Sequence, residues 1–361
     1  MKIKVIKSLN TRIGGPGTTF QKGVVRVPGE EIEVLQKVEG EDIGGNNVWY
    51  YDGNDKYYWS GGTNMASLYD SNANSNIGLI EYNRLIQNIP EEWRLTLGKG
   101  IKVVVMDSGI NKDHASLKMK DIKLNKCFVE GLNPNDGAET NGHGTMVAGI
   151  IGGYGETNSS GAVIKGIRGL APLCEIINYK ISQDGYYFEE HIKKALIDLK
   201  ETFKQEIVIV NCSWNIKKSG GLISAFEALP KNILCVCSAG NDEDLNEVEI
   251  FFPALIKNNI SVGYMSDVKF AVNLNNDLEF FLILNSIMSC DKNNTYGEFK
   301  YCSMTTAIVS GICALYLSTT AGGTAQIEIQ QLRTALRNLQ ANNEYETGLT
   351  IYNNKGSSKW A

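Results

Sequence analysis

Four short stretches carry side chains able to make and break bonds. Asp107 closes the apolar run in "VVVMDSG", and His143 sits between glycines in "TNGHGTMVAGIIGG". Asn241 ends "CSAGN", and Ser303 stands in "GEFKYCSMTTAIVSGICALYL", just ahead of a long run of small and apolar residues. Each has an ordinary structural use. A serine before such a run caps a helix, because its oxygen accepts an otherwise unpaired N–H. An aspartate or asparagine after a strand forms a turn, and a histidine packs. Together, in the order Asp, His, Asn, Ser over about 200 residues, they supply each part of an acyl-transfer site once. Such a site needs a nucleophilic hydroxyl, a base to take its proton, a carboxylate to orient the base, and a donor for the oxyanion. At the head of a helix, Ser303 also gains free N–H groups and the positive end of the helix dipole.

Positioning four such groups requires a rigid frame, and the sequence contains one. "GIKVVVMDSGI", "CEIINYKI", "EIVIVNCSW", "ILCVCSAGN" and "NISVGYM" are continuous apolar runs of strand length. Helical patterns, "FEEHIKKALIDLKETF" and "GLISAFEAL", lie between them. Strands apolar on both faces that alternate with helices predict an α/β fold, a parallel sheet covered by helices on both faces. Functional groups then gather at the carboxyl ends of the strands. Asp107, Ser213 and Asn241 stand at such ends. Of the three histidines, His191 lies among Glu189, Glu190, Lys193 and Lys194 and reads as a solvated helix residue. His114 follows the Asp107 turn and reads as a loop packing residue.

Residues 1–63 have a different texture. "IKVIK", "GVVRV", "EIEVLQKV" and "VWYYDG" are short strands broken by Gly, Pro and Asn, the pattern of a small all-β barrel. Residues 64–84 are polar and rich in Asn, Ser and Gly, as a linker would be. Residues 85–361 then form the α/β domain.

The totals exclude several classes. With 35 basic and 40 acidic residues, the net charge of −5 fits neither a nucleic-acid groove nor a polybasic membrane anchor. No apolar run approaches the roughly 20 residues of a membrane span. The eight cysteines include no CxxC pair and sit in apolar runs, so a zinc knuckle is not expected and buried free thiols are. "MKIKVIKSLNTR" has no apolar core of signal-peptide length, which points to the cytoplasm.

The four stretches resemble the motifs of the subtilisin-like serine proteases, the subtilases. "VVVMDSGI" is similar to the family's aspartate motif, "NGHGTMVAGIIGG" to its histidine motif, and "GIRGLAPLCEIINYKI" to the segment that follows. "VNCSWN" stands where the family has a substrate-binding strand and "SAGND" where it has the oxyanion asparagine. "YCSMTTAIVSGICAL" fills the place of the serine motif, and Asp, His and Ser follow the chain order of subtilisin. The resemblance implies a serine endopeptidase with the triad Asp107, His143 and Ser303, and with Asn241 in the oxyanion hole. Protein or peptide substrate would bind as an extended strand beside Gly185, Ser213, Trp214 and Asn215. No cofactor is expected. Calcium, which many subtilases bind, is the open alternative at "NDEDLNEVE", although its spacing matches no known loop.

The serine motif departs from the family. Tyr301 and Cys302 replace Gly and Thr, Thr305 replaces Ala, and Ala307 replaces Pro. An active enzyme of altered specificity is the expectation. A catalytically inactive binding protein is the alternative, and Cys302 as nucleophile is a third reading. A lipase-type esterase is disfavoured, because no G-x-S-x-G surrounds Ser303. The N-terminal segments "KSLNTRIGGPGTTF" and "NNVWYYDGNDKYYWSGG" resemble bacterial SH3-like domains, which bind peptides or cell-wall glycopeptides.

Overall fold

The computed structural model describes residues 2–5, 7–43, 48–63, 89–120, 122, 124–157, 163–241, 251–265, 279–283, 286–320, 325–339 and 351–353. The chain forms two compact units, residues 1–83 with 155–166 and residues 84–154 with 167–361. The expected linker, residues 64–84, lies outside the described residues.

The first unit holds β1 (Lys2–Lys4), β2 (Leu9–Ile13), β3 (Gln21–Arg26), β4 (Glu31–Glu33), β5 (Gln36–Glu39), β6 (Val48–Tyr51) and β7 (Lys56–Trp59). β1 pairs with β4, and the other five form one antiparallel sheet in the order β3-β2-β7-β6-β5. Trp49, Tyr50 and Tyr58 bury their rings there with Ile3, Val5 and Val34. Each of these aromatics buries a large apolar surface in a small unit.

The second unit is built on an eight-stranded sheet. Its strands are β8 (Lys102–Asp107), β9 (Asn125–Cys127), β12 (Glu175–Lys180), β15 (Val208–Cys212), β16 (Ile233–Ser238), β17 (Ile260–Met265), β18 (Phe280–Ile283) and β21 (Ile351–Asn353). Their order is β21-β18-β17-β16-β15-β8-β12-β9, parallel throughout except for the antiparallel edge strand β21. Smaller two-stranded sheets pair β13 (Ser182–Gln183) with β14 (Tyr186–Tyr187) and β19 (Ile287–Cys290) with β20 (Tyr296–Phe299), while β10 (Tyr154–Thr157) pairs with β11 (Val163–Arg168), most of whose residues are counted with the first unit. The helices are α1 (Glu91–Thr96), α2 (His143–Gly152), α3 (Glu189–Thr202), α4 (Gly220–Glu227), α5 (Tyr301–Leu317) and α6 (Ala325–Asn338).

Every residue of β15 and β16 is buried, so neither face of the sheet centre meets water. That is why these strands are apolar at successive positions rather than at alternate ones. α5 packs across β15, β16 and β17, and α2 packs on α5 and β8. Close packing is set by small residues. A Cβ at Gly169 would lie 2.5 Å from the backbone nitrogens of both Gly152 and Gly153, at the end of α2.

His191 corrects the sequence reading. It is 6% exposed and lies on the buried stripe of α3 with Ile192, Ala195, Leu196 and Leu199. Its Nδ1 donates to Ile181 O at 3.2 Å, and its Nε2 accepts from Glu130 N at 3.2 Å. His114, fully buried, does serve packing: Nε2 donates to Thr295 O at 2.8 Å and Nδ1 accepts from Ser116 N at 3.1 Å.

Gly169→Ala is expected to destabilise the fold by about 1–3 kcal/mol, because backbone cannot yield as a side chain can. Thermal unfolding checks this, with a midpoint several degrees lower. Gly220→Ala, where a Cβ meets nothing within 4 Å, is the control and leaves the midpoint unchanged or slightly raised. Equal midpoints for both variants would refute the packing argument.

Candidate active site

The parallel ladder brings the candidate groups to one edge. Asp107 ends β8 at the sheet centre, Ser213 follows β15 beside it, and Asn241 follows β16. Asp107 has no exposed surface. Its Oδ1 accepts from the Ser108 N–H at 2.7 Å and from His143 Nδ1 at 2.8 Å, while Oδ2 lies 3.0 Å from the same nitrogen.

His143 opens α2, and the glycine after it is a geometric necessity. A Cβ at Gly144 would stand 2.1 Å from Gly109 O, so only glycine lets the helix start against the aspartate turn. The backbone N–H groups of this first turn are satisfied by side chains. His143 N donates to Asn141 Oδ1 at 3.0 Å, Gly144 N to Ser108 Oγ at 3.1 Å, and Thr145 N to Glu139 Oε2 at 2.8 Å. Glu139 Oε1 in turn accepts from Ser108 Oγ at 2.8 Å, binding the aspartate turn to the histidine helix. The Phe299 ring packs edge-on to the imidazole at 5.4 Å.

Burial pulls the His143 pKa down, but the Asp107 charge, the Asp107 hydrogen bond and the Glu139 charge outweigh it. The net result is a pKa above the ordinary 6.5. Because Asp107 accepts from Nδ1, the proton of the neutral ring is held there and Nε2 is left as the basic nitrogen.

Ser303 is the third residue of α5 and is 9% exposed. Its Oγ donates to Ser213 O at 2.8 Å, and Ser213 Oγ donates back to Ser303 O at 3.1 Å. Asn211 Nδ2 supports Ser213 Oγ at 2.8 Å, and Ser310 Oγ donates to Asn211 Oδ1 at 2.9 Å. This relay fixes the head of α5 on the end of β15. Among the described residues, the Ser303 hydroxyl bonds Ser213 and not His143.

Asn241 Oδ1 accepts from Cys302 N at 2.8 Å. The amide therefore cannot be flipped without setting donor against donor, and among the described residues no hydrogen bond takes up its Nδ2 protons. Cys302 itself is fully buried, its thiol donating to Val262 O at 2.8 Å, and burial pushes its pKa up. A buried, protonated thiol is a poor nucleophile.

Of the residues expected to flank substrate, Gly185 is exposed in the β13–β14 turn and Asn215 Nδ2 donates to Ser238 O at 2.8 Å. Ser213 and Trp214 are each 3% exposed. Trp214 Nε1 donates to Met106 O at 2.7 Å, so its indole braces the residue before Asp107. Asp242 and the rest of "NDEDLNEVE" after Asn241 lie outside the described residues. Among the described residues no His/Cys/Asp/Glu group has the spacing to hold a metal ion.

Two residues of the site escape the sequence reading. Glu139 had one signal, a carboxylate just ahead of a helix start, where it meets free N–H groups. Tyr187, whose OH donates to Asp107 Oδ1 at 3.4 Å, had only the Asp-Gly turn that precedes it.

A parallel α/β core with an aspartate–histidine pair and a helix-borne serine at its carboxyl edge defines a subtilisin-like hydrolase. The solved chain titled "Crystal structure of a cold adapted subtilisin-like serine proteinase" has this fold, with a TM-score of 0.57 at 24% identity over 70% of this chain and 88% of that one. The Peptidase_S8 model of the subtilase family matches residues 98–350, and the chain belongs to that family. The major intracellular serine protease of Bacillus subtilis (strain 168) is 30% identical over 266 residues, covering 68% of this chain and 78% of that protein. An intracellular serine protease of Paenibacillus polymyxa is 28% identical over 243 residues, covering 63% and 69%. The chain is a serine endopeptidase.

Glu139→Gln keeps the size of the side chain and removes a charge that raises the His143 pKa, at the cost of setting one amide nitrogen against N–H donors that the carboxylate accepts. The expected result is a downward shift of that pKa, read by NMR titration of the imidazole nitrogens. An unchanged or higher value would remove Glu139 from the electrostatics of the site.

Proposed function

We propose that Asp107, His143 and Ser303 form the triad that hydrolyses peptide bonds, with Asn241 donating to the oxyanion. The observation that carries this reading is the buried Asp107 carboxylate, 2.8 Å from His143 Nδ1, at the sheet edge that also bears Ser213 and Ser303. When substrate arrives, the Ser303 hydroxyl turns from Ser213 O toward His143 Nε2, which takes its proton as Oγ attacks the scissile carbonyl. The oxyanion receives Asn241 Nδ2 and N–H groups at the head of α5. His143 then returns the proton to the leaving amine, and water, activated by the same nitrogen, hydrolyses the acyl-enzyme. The raised His143 pKa sets the direction of the pH profile. The base is neutral only above that pKa, so activity falls as pH drops through it.

Substrate is read as an extended peptide between "CSWN" and "SQDGYY". Gly185 and Asn215 flank it, with Ser213 and Trp214 beneath as supports. The chain is read as two domains, residues 1–63 and 85–361, joined by a linker at 64–84. The first is proposed as an SH3-like module for peptide or cell-wall glycopeptide, supported by its antiparallel strands and by the Tyr51–Tyr57 ring pair at 5.0 Å. Titration calorimetry of the full chain with muropeptides and peptides tests that module, and no binding at millimolar concentration would exclude it. A cytoplasmic workplace is supported by the names of the intracellular relatives and by eight free, buried cysteines. No cofactor, nucleic acid or membrane enters this reading.

A fluorophosphonate probe is expected to label Ser303 in the wild type and not in His143→Ala, with the site located by mass spectrometry. Ser303→Ala is expected to lose turnover, whereas Cys302→Ala keeps it. For Asn241→Ala the expected fall in kcat is roughly 10²–10³, a magnitude borrowed from the subtilisin oxyanion asparagine. Label on Cys302 instead of Ser303 would overturn the triad.

A further inference from the structure

We propose that Tyr187 is a positioning residue for Asp107: its phenol donates to the carboxylate oxygen that holds His143 and limits how much of that charge the imidazole receives. The consequence for turnover rests on the peptidase reading above; the geometry does not.

The hairpin fixes which of two consecutive tyrosines turns inward. Ser182 pairs with Tyr187 and Gln183 with Tyr186, across a two-residue turn with Asp184 at φ 52° and Gly185 at φ 85°. Two left-handed residues make the tight turn whose twist matches the flanking strands. Side chains alternate along a strand, so Tyr186 is 70% exposed while Tyr187 turns toward Asp107.

Its ring is then held from behind. Tyr187 stacks on Trp214 at 5.6 Å and 21°, and Trp214 Nε1 donates to Met106 O at 2.7 Å. The phenol is thereby tied to the residue next to the aspartate it serves. On the other side, Ile181 N donates to Asp107 O at 2.8 Å, so the strand feeding the hairpin is fixed to the same residue. The hydroxyl reaches Asp107 Oδ1 at 3.4 Å, the oxygen that lies 2.8 Å from His143 Nδ1. Burial, then the charges of Asp107 and Glu139, hold the phenol protonated well above its ordinary range, so it acts as a neutral donor.

Other titratable groups lie on the elements around the pair. Glu139 lies across the helix start, and the Asp291 carboxylate packs beside Gly142. Lys180 is level with Asp107 on β12, but its ammonium donates to Ala138 O at 2.7 Å. Cys212 on β15, its thiol held protonated by burial above all, and Lys292, which donates to Thr140 O at 3.2 Å, complete the set. Among these, Tyr187 is the neutral side chain that donates to the carboxylate itself.

Tyr187→Phe keeps the stacked ring and removes the donor. Asp107 then presents more of its charge to His143, so the imidazole pKa is expected to rise by roughly 0.3–1 unit, a 2–10-fold change in its protonation equilibrium. The experiment is a pH titration of ¹⁵N-labelled full-length chain by NMR, with His143→Ala to assign the signal. Peptide hydrolysis is followed on the same samples, and the acid limb of kcat/KM should move up in step. Ring-fluorinated tyrosine placed at position 187, a stronger donor of the same shape, should move the pKa down and covers the case in which Tyr187→Phe does not fold. An unchanged His143 pKa in the variants overturns the proposal, even if kcat/KM falls, because a mere groove wall changes turnover without moving the titration. A shifted pKa in a protein without wild-type turnover would uphold the positioning role and sink the peptidase reading instead.

Discussion

The structure depends on keeping one carboxylate, Asp107, away from solvent. Taking a charge out of water costs several kcal/mol unless hydrogen bonds and opposite charge replace the lost hydration. The surrounding chain meets that demand by position. The central place of β8 lets neighbouring strands carry β12 with its hairpin to one side of the carboxylate and β15 with Trp214 to the other. The glycine at 144 lets α2 start close enough for His143 to reach it. Shifting β8 by one residue would turn the carboxylate to the opposite face of the sheet, away from His143 and Tyr187.

What the sequence reveals about such a site follows from which constraints are local. Asp107, His143, Asn241 and Ser303 stand out because each sits at a strand end or helix head beside glycine or other small residues that the backbone requires. The alternation of apolar runs and helical patterns likewise reports the parallel sheet, since burial on both faces leaves its mark in composition. Tyr187 is hidden because its direction depends on a hairpin register that adjacent tyrosines do not distinguish on paper. Glu139 is hidden because its partners, Ser108 and Thr145, meet only after two elements pack. His191 misleads for another reason. Its charged neighbours mark a solvated face, but positions 191, 192, 195, 196 and 199 form one stripe at helical spacing, and that stripe is buried.

The departures at Tyr301 and Cys302 are absorbed in different ways. Tyr301 adopts φ 69°, the left-handed region where glycine is at ease, and a Cβ there costs roughly 1–2 kcal/mol. Its ring remains 45% exposed and packs edge-on to Tyr264 at 5.9 Å, a contact that offsets part of the strain. The backbone path that glycine would give is therefore kept, and Ser303 still reaches Ser213. Cys302 keeps its N–H for Asn241 and turns its thiol inward to Val262. Neither residue removes a group that acyl transfer needs, which is why an inactive, purely binding role is not favoured. The Tyr301 ring stays exposed two residues ahead of Ser303.

The strength of the base follows from a balance around His143. A general base works best when its pKa lies near the working pH, because a weaker base takes protons poorly and a stronger one is already protonated. Asp107 and Glu139 both stabilise the imidazolium, and burial alone opposes them at the ring itself. Left there, two carboxylates would hold the histidine charged over a wider range. A donor to Asp107 is the correction available without unburying either group, since it spreads the carboxylate charge over a third partner. Tyr187 fills that place with a hydroxyl that stays neutral, braced by an indole fixed to the same strand as the aspartate. The aromatic pair thus belongs to the electrostatics of the Asp107–His143 pair as well as to the packing around it.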